Sequence, residues 1–280
     1  MAVKQSEVWG RILDQPFKDS SYTLELESGI SEIKFQEGAA VVNVYTYDTT
    51  GTVTDHDDTK TYAELLAKIK NVNSSVNTYK LDQKKDFGQF LPEGVAKTNS
   101  AIKSGMKLIS AIVSEQLLPI VDAYRLSILA ATAVATGQVI APTPNEGLKN
   151  IGELANKLFD AHLFKEGKVI CYITPASALE IQTKVMAMLG TSGGEKSLRT
   201  GDIGYLHGVK LKRTPTQYFP TKVSAIMVNP GVVAAPRFIA NTRVDNNPAG
   251  VFGLLAIGLF YYTCVVSKPR EKGVAIIKAA

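Results

Sequence analysis

Apolar residues at steps of three and four run through Ile102, Met106, Ile109, Val113, Leu117, Val121, Tyr124 and Ile128. That spacing stacks side chains on one helix face and predicts a single long helix from Ala96 to Thr136. Gly137, then Pro142 and Pro144, end it. Roughly forty residues at about 1.5 Å each make a rod of roughly 60 Å, where the mean helix has about 11–12 residues. Pro119 lies inside and should kink the helix or mark a short break.

Before this strut, residues 1–35 are polar, with scattered apolar positions such as Trp9, Ile12 and Phe17, and read as an extended or partly ordered arm. Ala39–Tyr47 is β-branched and aromatic and predicts a strand. Asp48–Lys60 is dense in Thr, Gly and Asp. Val76–Lys84 alternates again and should pair back with the first strand. A ribbon with so little core of its own is marginal in water and must lie on something.

After the strut, Asn145–Leu163 predicts an amphipathic helix with Leu148, Ile151, Leu154, Leu158 and Phe159 on one face. Lys168–Thr174 reads as a buried strand, and Pro175 opens a helix over Ala176–Leu189. Gly190–Thr200 is a Gly/Ser loop. Tyr205–Thr214 reads as two short strands around Gly208. Val223–Asn229 and Val232–Ile239 are further strands. Gly250–Val266 and Gly273–Lys278 read as two strands joined by Lys268–Lys272 into a terminal hairpin. The alternation predicts a compact α/β or α+β unit.

Composition narrows the class. The chain has 280 residues, 45% of them hydrophobic, with a net charge of +5. That is enough to bury a sizeable core in one or two domains. The charge is mild and permits an anionic neighbour without demanding one. Cys171 and Cys264 both sit in apolar runs and read as buried thiols rather than a bridge, which suits a reducing compartment. The first residues hold no apolar signal core. The longest apolar run, Val251–Val266, is shorter than the ~20 residues a bilayer needs.

Candidate chemistry is sparse. Gly190-Thr-Ser-Gly-Gly-Glu-Lys196-Ser197 nearly spells a phosphate-binding loop, but Glu195 stands where the pattern needs Gly and would put an anion at the phosphate. His56, His162 and His207 are spread over three regions without metal-ligand spacing. No nucleophile elbow is present. Nothing here points to an enzyme, a cofactor or a metal. Lys196–Lys222 carries six bases against Asp202 alone, and Lys80–Lys107 is also basic on balance. Aromatics are not interleaved with these bases, so diffuse attraction to nucleic acid is the expectation rather than base reading.

The order of pieces resembles the major capsid proteins of tailed bacteriophages, the Hong Kong 97-type fold. Four stretches carry the resemblance: Leu81-Asp-Gln-Lys-Lys-Asp-Phe87, Leu118-Pro-Ile-Val-Asp-Ala-Tyr-Arg-Leu-Ser-Ile128, Gly201-Asp-Ile-Gly204 with Gly208-Val-Lys-Leu-Lys-Arg-Thr-Pro215, and Phe260 to Ile276. It implies an α+β fold with an N-terminal arm (1–38), P-domain strands carrying an E-loop (39–84, the loop about 48–77), a spine helix (85–140), an A-domain (141–248) and C-terminal P-domain strands (249–280).

By the same resemblance the chain builds hexamers and pentamers of an icosahedral shell around double-stranded DNA. It would assemble in the host bacterial cytoplasm and reside in the virion. Portal, scaffolding and decoration proteins are implied partners, with scaffolding a separate protein, absent or cleaved away before residue 1. Some relatives cross-link an E-loop lysine to an asparagine of the next subunit with a glutamate's help. Lys60, Lys68, Lys70, Asn246 and Asn247 are the matching positions. No glutamate lies between Glu195 and Glu271, so the likeness stops short of that chemistry. The alternatives are an encapsulin-like nanocompartment shell and an α/β enzyme with an unrecognised site.

Overall fold

The computed structural model describes residues 21–27, 34–35, 41–48, 73–80, 83–93, 105–143, 146–184, 204–248 and 250–278. The chain divides into two compact units, one of residues 31–81 and one of residues 1–30 with 82–280.

The smaller unit is a three-stranded antiparallel sheet. Strand β1 (Lys34–Phe35) pairs with β2 (Val41–Asp48), and β2 pairs with β3 (Asn73–Lys80) from Val41 opposite Lys80 to Asp48 opposite Asn73. The expected first strand is therefore present. The predicted second strand, Val76–Lys84, is two strands instead: β3 ends at Lys80 and β4 (Gln83–Pro92) begins three residues later. The ribbon's tip, residues 49–72, lies outside the described residues.

Strand β4 also corrects the helix start. Residues 85–92, assigned by resemblance to the spine helix, are strand. Phe87, Phe90 and Leu91 have helical spacing, yet β4 pairs along its whole length with β12 (Gly253–Tyr262). Strand β12 pairs on its other edge with β11 (Arg237–Asn246). A local pattern loses here to a non-local ladder.

The described spine begins at Gly105, and 94–104 lie outside the described residues. It comprises α1 (Gly105–Ile112), a π turn over Val113–Leu117 and α2 (Leu118–Ala135). The π turn answers the proline. Pro119 has no N–H, and in a regular helix its ring meets the carbonyl four residues back. Widening the preceding turn, so that the Leu118 N–H donates to the Val113 carbonyl, lets the helix pass through unbroken.

The predicted stripe is buried where it is described: Ile109, Val113, Leu117 and Val121 lie in a core with Phe87, Ala256 and Phe260 of the three-stranded sheet. The second half of α2 turns Leu126, Leu129, Ala130 and Ala133 into a different core. One helix thus ties two cores together. By length and composition, Ile109–Ala135 is apolar enough to cross a membrane, but half of that window is buried inside the protein.

The second core lies on one face of a six-stranded mixed sheet. Its order is β5 (Val139–Ile140), β14 (Val274–Lys278), β9 (Val223–Val228), β6 (Ile170–Ile173), β8 (Val209–Arg213) and β7 (Tyr205–Leu206). Period-two alternation sorts the side chains. Ile170, Tyr172, Ile226, Val228, Val274 and Ile276 face α2. Cys171, Ile173, Ala225, Met227, Ala275 and Ile277 face the other way, where α3 (Gly147–Asp160) lays Ile151, Leu154 and Leu158 against them with the helix over 175–184.

Three expectations need correction. Phe159 is exposed rather than on the buried face of α3, and its ring stacks on Phe164 with centroids 3.9 Å apart. Val232–Ile239 is not one strand, because Pro236 interrupts it; β10 (Val233–Ala234) pairs with β13 (Val265–Val266), and β11 starts at Arg237. The terminal segments do not form a hairpin with each other. Strand β14 is the central strand between β5 and β9, in a different sheet from β12. Its run Val-Ala-Ile-Ile is buried on both faces, so its pattern does not name its neighbours. Both cysteines are buried free thiols, as read from their apolar surroundings.

Candidate functional site

The spine carries only two charges between Leu118 and Ala135, Asp122 and Arg125. They are 1% and 0% exposed. Burying a charge costs several kcal/mol unless it is paired and hydrogen-bonded. Both find partners in one short N-terminal segment, Ser21–Glu27, whose middle is a 3-10 turn over Leu24–Leu26.

Asp122 accepts three hydrogen bonds from it. The Ser21 hydroxyl donates to Oδ1 over 2.7 Å, the Thr23 hydroxyl to Oδ1 over 2.6 Å and the Tyr22 N–H to Oδ2 over 2.9 Å. Arg125 Nη1 donates to the same Thr23 hydroxyl over 2.9 Å, so this one hydroxyl joins the two charges. Arg125 Nη2 donates to Glu27 Oε1 over 3.0 Å and to the Ala235 carbonyl over 2.6 Å. Glu27 Oε1 is shared with Arg237 Nε at 2.7 Å. Leu26, fully buried, plugs the segment into the core beside Leu126, Leu129 and Tyr172.

Strand β8 supplies the outer grip. Val209 and Leu211 point into the core beneath α3, so Lys210 and Lys212 face the opposite side with the N-terminal segment. Lys212 Nζ donates to both Glu25 oxygens, over 2.7 and 3.0 Å, and Lys210 Nζ reaches Oε1 over 3.4 Å. Burial pushes the Glu25 carboxyl up. The lysine hydrogen bonds and charges outweigh it, and the group is held below the usual carboxylate range. Burial also pushes the phenol of Tyr172, on the adjacent strand, well above its ordinary value, and the charge of Glu25 acts in the same sense.

This arrangement is a clamp. It holds the Ser21–Glu27 segment on the spine through charge and hydrogen bonds. The sequence places an arm here and expects a partner surface to order it. Residues 21–27 of the arm are ordered on the spine of their own chain. Asp122 and Arg125 stand in the stretch that carries the family resemblance, but their partners were not legible. The available signal was two opposite charges, three residues apart, inside an otherwise apolar helix.

The other sequence candidates stand apart from the clamp. Lys60, Lys68, Lys70, His56 and the Gly190–Ser197 loop lie outside the described residues. His162 and His207 occupy separate turns, both at positive φ, and His207 packs over Gly152. Among the described residues no group of three His, Cys, Asp or Glu could hold a metal ion. Asn246 closes β11 opposite Leu254. Asn247 spends its side-chain oxygen on the Gly253 N–H, 2.9 Å away, and so fixes the turn between β11 and β12. Burial pushes the Cys171 thiol far up, which leaves it unreactive.

No family model matches this chain, and no curated protein does. Solved structures do match. A structure from Mycobacterium phage Che8 superposes with a TM-score of 0.59 at 14% identity, over 86% of this chain and 85% of that one. The capsid structure of the cyanophage P-SCSP1u gives 0.61 at 12%, over 88% and 85%. A virus-like particle from Pyrococcus furiosus gives 0.53 at 10%, over 98% and 99%. At such identities the likeness is one of fold. This chain has the α+β, Hong Kong 97-type fold of phage capsid structures.

Proposed function

We propose that this chain is a major capsid protein that self-assembles through hexamers and pentamers into an icosahedral head around double-stranded DNA. The observation that carries the reading is the fold likeness over nearly the whole chain to phage capsid structures. The two-unit organisation supports it. A ribbon unit with strands alone among its described residues gains its surroundings from neighbours in a shell. In this reading the P-domain comprises β4, the spine, β11 and β12, so the expected bounds shift: β11 leaves the A-domain of 141–248, and β14 leaves the P-domain strands of 249–280 for the six-stranded sheet. The six-stranded sheet is the A-domain, and the tip between β2 and β3 is the E-loop. Contact with DNA is non-specific, with portal, scaffolding and decoration proteins as further partners and the virion as the final location.

The second reading is an encapsulin-like compartment holding protein cargo, favoured by the near-complete coverage against the Pyrococcus furiosus particle. Electron microscopy of particles purified from the native source separates the two. DNA-filled heads with a tail vertex support the first, and tailless shells filled with protein support the second.

A further inference from the structure

Beside the clamp lies a cavity of about 820 Å³, within the range of pockets that take small ligands. Lys165, Lys168, Lys210 and Arg270 line it, together with one carboxylate, Glu25. Four elements supply these cations, or the turns beside them: the turn after α3, the approach to β6, strand β8 and the turn before β14. Glu25 is already engaged by Lys212 and Lys210. Lys165, Lys168 and Arg270 meet no acidic partner among the described residues and are exposed at the cavity. Positive charge gathered at one concavity raises the local potential and costs folding energy unless an anion enters.

We propose that this cavity binds phosphate groups, with Lys165, Lys168 and Arg270 as the ligand-holding cations and Lys210 shared between the ligand and Glu25. The Glu25 carboxylate stands on the cavity wall as a resident competitor. A phosphate oxygen entering the cavity takes up the Lys210 ammonium, and Glu25 keeps Lys212, its shorter contact at 2.7 Å. Two sources present the same chemistry, a nucleic-acid backbone and a free polyphosphate. The inference holds for the isolated chain and does not depend on shell formation.

The test uses the full chain, a fluorescein-labelled twelve-base-pair DNA duplex read by anisotropy, and inorganic pyrophosphate read by calorimetry. Variants are Lys168→Ala, Arg270→Ala and Glu25→Gln, with Lys149→Ala, an exposed lysine outside the cavity lining that pairs with Glu146, as a control. Lys168→Ala and Arg270→Ala should each weaken binding several-fold and lower the salt slope by about one. Glu25→Gln should strengthen binding, the reverse of what a merely stabilising acid would do. Binding of pyrophosphate that competes with the duplex identifies free polyphosphate as a ligand; binding of the duplex alone identifies the nucleic-acid backbone. Equal losses in Lys149→Ala and Lys168→Ala would overturn the site. So would unchanged binding in the cavity variants accompanied by failed particle assembly, which would make the cavity a contact for acidic groups of a second copy. Glu25→Gln is judged only if its far-ultraviolet circular dichroism matches the parent; the two exposed-cation variants decide the matter otherwise.

Discussion

Thr23 and Asp122 are 99 residues apart in the chain, and the Thr23 hydroxyl donates to Asp122 Oδ1 over 2.6 Å in a buried site. The same hydroxyl accepts from Arg125. A short N-terminal segment thereby completes a charged pair on the spine, and the spine charges give that segment its place.

Thr23→Val keeps the shape of the side chain and removes both bonds. Asp122 and Arg125 then lose a shared partner while staying buried, and the expected cost is about 1–3 kcal/mol. Asp122→Ala, which strands a buried guanidinium's network, should cost about 3–5 kcal/mol. Urea midpoints of parent and variants measure this. Cleavage of the 21–27 segment by protease should rise in step.

The Glu25 grip is pH-dependent. Its carboxyl lies below the ordinary value of 4.5 when folded, so its contribution is fully present above that pH and is lost as pH falls through the lower, folded value. The protection of the 21–27 amides, measured as exchange relative to its intrinsic rate at each pH, should therefore fall below about pH 4.5 in the parent. Glu25→Gln should lack that component and exchange faster already at pH 7. The contribution is modest, since the lysines are partly exposed. Equal pH profiles in the two proteins would remove Glu25 from the clamp.

Val113 is fully buried on the spine stripe, at the start of the π turn. Val113→Asp puts an unpaired charge into that core, a penalty of several kcal/mol. It should abolish soluble chain, measured as yield in the cleared lysate against the parent.

Residues Asp48–Asn77 of the ribbon carry Asp48, Asp55, Asp57, Asp58 and Glu64 against Lys60, Lys68 and Lys70, with few residues able to form a core. Replacing Gly51–Lys70 by a short Gly/Ser turn should leave the larger unit folded, because its described core residues are Leu26 and positions between Phe87 and Ile277. Sedimentation should show shells lost or greatly reduced. Closed shells at parental yield would make the ribbon dispensable for assembly.

Much of this architecture was legible in local pattern. The stripe through Ile109, Val113 and Val121, the two-faced strands β6 and β9, and the paired strands around Gly208 follow from periodicities of 3.6 and 2. What pattern could not supply was pairing at a distance. Residues 85–92 fell to the spine helix by resemblance, and only the β12 ladder makes them strand. Val274–Ile277 read as a hairpin arm because a strand buried on both faces gives no sign of its neighbours. The clamp was hidden for the same reason: Asp122 and Arg125 announce a need for partners, while Ser21, Thr23 and Glu27 look like any polar arm. Pro119 predicts a kink or a short break, and the π turn shows the backbone absorbing it within a continuous helix.

The central claim is that the chain closes into shells, and electron microscopy of the purified, full-length protein tests it most directly. The account predicts closed icosahedral particles with hexamers and pentamers resolved on their surface. A protein that remains monomeric at every concentration and salt condition, with the clamp and all three described cores intact, would contradict it.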